Sequence, residues 1–139
     1  MKYSLRVCLL SVLFFFSCKG NEKPVAVENE NGKLVYTKYC LTCHQSNGSG
    51  VPGMYPPLTK TDWVQGDKDR LIQLMLKGLT GEITVNGQVY RTSMPSHHYL
   101  TDEQIADVLT WVRSNFGNSA DAVTIQEVSA ARIQSQAAN

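Results

Sequence analysis

The sequence predicts an all-α domain of three to four short helices joined by long loops and interrupted by one small β-hairpin. Three observations predict it. Apolar residues recur at helical spacing in separate stretches, each bracketed by capping residues. Between the first two lies Asn47 to Pro57, so dense in Gly and Pro that no regular element forms there. At the head of that stretch stands Cys40-Leu41-Thr42-Cys43-His44, two thiols and an imidazole at close spacing.

The chain opens with Lys2 and Arg6, then the apolar run Val7 to Phe16, then Ser17-Cys18. A basic n-region, an apolar h-region and a small residue describe an export signal over 1–17. The run of ten residues is too short to span a bilayer, for which about twenty are needed. Phe15-Phe16-Ser17-Cys18 resembles the lipobox of bacterial lipoproteins, with Phe15 where a Leu is usual. That resemblance implies acylation of Cys18, the alternative being an ordinary secretory signal. Cleavage before Cys18 leaves 122 residues (139 less 17), enough for one domain. Of 13 basic residues, Lys2 and Arg6 leave with the signal, so 11 face 12 acidic ones and the formal charge falls from +1 to −1. No basic stripe remains, which excludes nucleic acid as an electrostatic partner. Residues 18–31 are polar, contain Pro24 and read as a flexible, lipid-anchored tether.

The folded part is expected over 32–117. Leu34, Val35, Tyr36 and Tyr39 give the first helix an apolar face, with Asn29 or Asn31 as its cap. It runs into Cys40. Two thiols separated by two residues can add to the two vinyl groups of a haem, and the histidine that follows falls under the iron. A thioredoxin-like dithiol or half of a zinc site uses the same Cys-x-x-Cys pair. Neither requires a histidine in register. The first expects a parallel α/β pattern that the chain lacks; the second finds only His97 and His98 as further ligands. A flat apolar macrocycle would also pack the Gly- and Pro-rich loop that follows.

The second helix is marked by Asp67 as N-cap, the stripe Leu71, Ile72, Leu74, Met75 and Leu76, and Gly78 just past its end. Next, Asn86-Gly87 between Ile83-Thr84-Val85 and Gln88-Val89-Tyr90 predicts a hairpin. The third helix starts at Thr101 with Gln104 as a capping box and Leu100 with Ile105 as a hydrophobic staple. It is expected to stop at Gly117, with Ile105, Val108, Leu109, Val112 and Phe116 as core face and Trp111 extending the stripe. Residues 118–139 form a C-terminal extension, where Thr124 and Glu127 can start a short helix ending in a frayed, Ala- and Gln-rich tail.

An iron held by His44 has one further axial position, for which Met54, Met75, Met94, His97 and His98 compete. Met75 falls at core spacing within a helix. His97 and His98 precede the third helix and are expected to be exposed. Met94 lies in an extended stretch fifty residues beyond His44, and Pro95 stiffens the backbone behind it. A thioether on a stiff loop can be pressed against the open face of the iron.

Cys40-Leu41-Thr42-Cys43-His44, Met94-Pro95 and Leu100 to Leu109, in that order, resemble the monohaem class I cytochromes c. The likeness covers about Gly32 to Gly117. It implies the cytochrome c fold, one covalent haem c on Cys40 and Cys43, and axial ligation by His44 and Met94. It also implies that the first and last core helices meet at Gly32, Tyr36 and Trp111, with Tyr36 bordering the haem pocket. A proline carbonyl should accept the Nδ1 proton of His44, with a leucine two residues on; Pro56 and Leu58 fit, although Pro57 leaves the register open by one. Trp63 and Tyr90 should border the haem, either packing with a satisfied polar tip or bonding a propionate. The hairpin and His97-His98 depart from the minimal family pattern.

His/Met ligation keeps iron six-coordinate in both oxidation states, and a thioether in an apolar pocket favours the reduced form. The expectation is an electron carrier rather than an enzyme, periplasmic and membrane-anchored through Cys18, or secreted to the periplasm if Cys18 is not acylated. Its partners would be redox proteins: a dehydrogenase or quinol-oxidising donor, and a terminal oxidase or reductase as acceptor. The alternative is a haem enzyme or gas sensor with a labile sixth ligand.

Overall fold

A computed structural model describes residues 29–91 and 93–137. The signal segment 1–17, Cys18 and the tether up to residue 28 lie outside the described residues. Six helices and one hairpin follow in order: α1 Glu30–Tyr39, α2 Leu41–His44, α3 Asp62–Gln65, α4 Lys68–Lys77, β1 Ile83–Val85, β2 Gln88–Tyr90, α5 Asp102–Ser114 and α6 Ile125–Ala137. Among them no helix is long and apolar enough to cross a membrane.

The frame is the contact of α1 with α5. It is close because Gly32 carries no side chain: a Cβ there would sit 2.6 Å from the Trp111 Cβ and overlap the Asp107 carbonyl oxygen. Asn29 fastens the same point from both sides. Its Oδ1 accepts from the Gly32 amide at 2.8 Å and its Nδ2 donates to the Asp107 carbonyl at 3.0 Å. Helix α1 therefore starts at Glu30, and residues 30 and 31 belong to it rather than to the tether expected over 18–31. One turn on, the Tyr36 ring packs 4.8 Å from Trp111 and 5.3 Å from Phe116, centroid to centroid.

The other elements form where their caps place them. Asp67 accepts from the Asp69 amide and opens α4, whose stripe buries Leu71, Ile72, Met75 and Leu76. Gly78, at φ +76°, ends it. Asn86 and Gly87 both take positive φ, +50° and +78°, as a two-residue turn with the twist of its strands requires, and Ile83 pairs with Tyr90. At α5 both halves of the capping box form, and Leu100 and Ile105 are buried together beneath it. That helix stops at Ser114, three residues before the expected Gly117. Its last turn is taken over by Asn118, whose Nδ2 donates to the Val112 and Leu58 carbonyls while Oδ1 accepts from the Lys60 amide.

The C-terminal extension corrects a second expectation. Rather than a short helix with a frayed tail, α6 is 13 residues long and lies against α4 and α5. Val128 is completely buried and Ala131 nearly so, and Val123 just before the helix exchanges hydrogen bonds with Thr110 Oγ1. Buried Arg113 ties α5 to the far side of the fold, donating to the carbonyls of Val64, Gly66 and Asp121.

Candidate functional site

Where α1 ends, the chain turns through α2 and brings Cys40, Cys43 and His44 to one wall of a cleft of about 120 Å3. Its lining is almost wholly apolar. The His44 wall comes from α2 and the loop after it, with Pro56 and Leu58; the Met94 wall comes from the Leu79 and Met94 segments; Val64, Leu74 and Met75, and Val108, Leu109 and Val112 of α5, complete the lining. Such a cleft suits a flat apolar ring with two thiol attachments, an imidazole and a thioether.

His44 is oriented by a backbone carbonyl. Its Nδ1 lies 3.0 Å from the Pro56 carbonyl oxygen, which can only accept, so Nδ1 carries the proton and Nε2 keeps its lone pair. The register left open between Pro56 and Pro57 falls on Pro56. Burial holds the imidazole below its ordinary pKa and hence neutral; the Pro56 bond acts the other way, and His97 adds to the lowering. A neutral imidazole with a free Nε2 is a metal donor.

Burial, assisted by Cys43, pushes the Cys40 thiol up to about 11. Thioredoxin-like dithiols depend on the opposite shift, so this pair is a poor nucleophile. Nor does a zinc cluster assemble: among the described residues no three His, Cys, Asp or Glu side chains group to hold a metal ion.

Met94 is presented by backbone. Its amide and carbonyl exchange hydrogen bonds with Leu79, at 2.8 and 2.9 Å, just past the end of α4. Gly78 permits the approach, because a Cβ there would come 2.6 Å from the Met94 carbonyl oxygen. Two further bonds hold the loop, from Ser96 Oγ to the Leu76 carbonyl at 2.7 Å and from the His97 amide to the Met75 carbonyl at 2.8 Å. The rival ligands are placed differently. Met54 is 53% exposed and away from the cleft, and Met75 reaches the lining from the core of α4. His98 is exposed with Nδ1 on Ser96 Oγ. His97, expected to be exposed, is only 5% exposed; its ring lies beside those of Tyr39 and Tyr99 and does not line the cleft.

Of the other expected pocket residues, Tyr36 and Trp63 line the cleft. The Trp63 indole N–H donates to the Thr84 carbonyl at 3.0 Å, so its polar tip is occupied by the hairpin, and the Arg70 guanidinium stacks on its ring. Tyr90 is buried in the hairpin with its hydroxyl on Gln88 Oε1 and is not among the lining residues. Sequence reasoning missed Ile83 and Val85, which line the cleft instead. The period-2 alternation of β1 carried that signal.

A protein-family model described as "Cytochrome c" matches residues 29–116. Two cytochromes c-552 of Thermus thermophilus are 36% identical over 99 residues and 38% identical over 93. Those matches cover 68% and 64% of this chain, and 66% and 70% of the relatives. The gluconate 2-dehydrogenase cytochrome c subunit of Pantoea cypripedii is 32% identical over 111 residues, 76% of this chain but only 24% of that subunit.

Proposed function

From the premise that the chain belongs to the cytochrome c family, as an electron-transfer protein with one covalently bound haem c, we propose a membrane-tethered periplasmic carrier using His44 and Met94. It would take single electrons from a dehydrogenase or quinol-oxidising donor and pass them to a terminal oxidase or reductase. The observation that carries this reading is the cleft, whose apolar lining gathers Cys40, Cys43, His44 and Met94. Cys40 and Cys43 would hold the haem through thioethers, and His44 Nε2 and the Met94 sulfur would be the axial donors. The haem supplies one-electron iron chemistry. This chain's residues do the rest: the Pro56 carbonyl keeps His44 in one tautomer, and Val108, Leu109 and Val112 of α5 supply apolar lining.

The names of similar proteins support a dehydrogenase as donor. Besides the gluconate subunit, the cytochrome subunit of a fructose dehydrogenase from Gluconobacter japonicus is 37% identical over 103 residues. Periplasmic location and the lipid anchor rest on residues 1–18, read as an export signal with an acylated Cys18. The proposed domain division follows: signal 1–17, tether from Cys18 to α1, haem domain to 117, and extension 118–139.

Optical spectra of the matured protein test the ligand set. Native protein should show sharp low-spin bands, the weak far-red methionine-to-ferric-iron band, and no response of the reduced form to carbon monoxide. Met94→Ala should lose the far-red band and bind carbon monoxide. An unchanged spectrum in that variant would remove Met94 from the site, and carbon monoxide binding by native protein would favour an enzyme or sensor. Mass spectrometry of membrane-extracted protein should find acylated Cys18 as the first residue.

A further inference from the structure

The loop that presents Met94 is fastened at its far end by α6, which lies beyond the 29–116 matched by the family. One side chain makes the fastening. Arg132 Nη1 donates to the His98 carbonyl at 2.7 Å, Nη2 to the Leu100 carbonyl at 2.8 Å, and Nε to Asp102 Oδ1 at 2.7 Å. A planar guanidinium thus spans the end of the loop and the first residue of α5. Its side chain is 23% exposed and that of Asp102 is 27%, so the bonds are partly shielded from water. Charge-assisted bonds in a fixed fork are stronger and more directional than neutral ones.

The geometry around Arg132 is a closed frame. Ser96 and His97 are bonded to the C-terminal end of α4, at Leu76 and Met75, and Met94 to Leu79 just past it. His98 and Leu100 are bonded to α6. Helix α6 is itself seated on α4 through Val128 and Ala131, and Gln73 Nε2 of α4 donates to the Ala131 carbonyl, the residue before Arg132. For the loop to lift, one end must release α4 or the other must release Arg132. The segment Met94–Leu100 has no secondary structure of its own beyond a bridge and a turn, so these ties determine how often it opens.

We propose that Arg132 is a positioning residue for Met94: through His98, Leu100 and Asp102 it holds the methionine loop shut and sets how readily the sixth position opens. This rests on Met94 being the axial ligand. Arg132 does not line the cleft, so it acts through the end of the loop and the first residue of α5.

The test is Arg132→Met in the holoprotein, which keeps an unbranched apolar stem and removes the donors. Two quantities are read: association of imidazole with the ferric protein, and hydrogen exchange of the Met94 and His97 amides in the reduced protein. Imidazole should bind about tenfold or more tightly, corresponding to about 1.4 kcal/mol in the opening equilibrium, and both amides should exchange faster. Glu127→Gln, which loosens α6 at its other end, should leave both within about twofold. A folded Arg132→Met protein with unchanged exchange and imidazole affinity overturns the proposal, as does Glu127→Gln moving both equally. Should Arg132→Met fail to fold, Asp102→Asn must show the same direction, and no change there overturns it. A native protein without the far-red methionine band would defeat the ligand reading instead; the amide exchange would still decide whether Arg132 holds the loop.

Discussion

On the wall that carries His44, the orienting hydrogen bonds join near neighbours: His44 to Pro56 twelve positions on, and Tyr36 to Gln45 nine positions on. On the wall that carries Met94, they join distant ones. Ser96 reaches 20 positions to Leu76, while Arg132 reaches 34 to His98 and 32 to Leu100. The bonds of the first wall lie within α1, α2 and their loop. Those of the second run to the end of α4 and, through Arg132, to α6. Closing a longer loop costs more chain entropy, and contacts that depend on several elements are lost when any one of them loosens. A site built this way has a fixed side and a side whose opening can be tuned, which suits one covalently secured face and one thioether.

The comparison breaks where both walls share a support. Gly32 is that place, since α1 leads into the turn that carries His44 and α5 contributes Val108, Leu109 and Val112 to the cleft that Met94 also lines. In Gly32→Val the new side chain meets the Asp107 carbonyl and the Trp111 Cβ, both too near the backbone to swing away. Overpacking of this kind costs about 3 kcal/mol or more where the backbone cannot yield. Guanidinium unfolding of the holoprotein should show that loss with both walls opening together; a change under about 1 kcal/mol would mean that the helices can part.

A smaller effect should separate the walls. The Tyr36 hydroxyl donates to the Gln45 carbonyl at 2.6 Å, closing the turn that carries Cys43 and His44, and burial with nearby Cys40 raises its pKa. Tyr36→Phe leaves that carbonyl with the Gly48 amide, at 3.2 Å, as its donor, so the loss is that of one hydrogen bond, about 0.5–1.5 kcal/mol. Amides of the turn, His44 and Gln45, should exchange faster while those of Met94 and His97 keep their protection. Equal loosening on both sides would mean that the walls are one cooperative unit.

The same division decides what was legible in the sequence. Cys40 to His44 and the Thr101 capping box are local, so spacing places them; the proline acceptor came from the family resemblance, and only the structure chose Pro56 over Pro57. The pairing of Met94 with the cleft was visible only because Pro95 stiffens its surroundings. His97 reads as a polar residue before a helix; its burial comes from Tyr39, Tyr99 and the Met75 carbonyl, which tertiary packing brings to it. Helix α6 was legible at its start, through Thr124 and Glu127, but not in its docking. Val128 and Ala131 give a weak periodic signal because one of them is an alanine, although small size is what lets the helix approach α4. Arg113, Asn118 and Arg132 make their bonds mainly to backbone carbonyls of other segments, for which sequence carries no marker.

The smallest expected effect lies furthest from either wall. Glu127 accepts from Lys68 of α4 and, through Oε2, from the Thr124 amide at 2.7 Å and hydroxyl at 3.0 Å. The Lys68 bond foremost, then those of Thr124, push its carboxyl from the ordinary 4.5 down to about 2. A carboxyl whose pKa is lowered by folding stabilises the fold fully above its unfolded pKa and loses that contribution as the pH falls through the folded one. The window here runs from about 4.5 down to about 2. Because the side chain is 36% exposed, water and salt screen the pair, and the contribution is small. Native protein should therefore be slightly more stable than Glu127→Gln at pH 6 in low salt, with the gap closing across that window and shrinking in high salt. Thermal midpoints of the two proteins measure the gap, and a difference that stays constant with pH would show that the carboxylate's charge contributes nothing. Imidazole affinity should stay level between them at every pH, because Glu127 holds the end of α6 that leaves the methionine loop untouched.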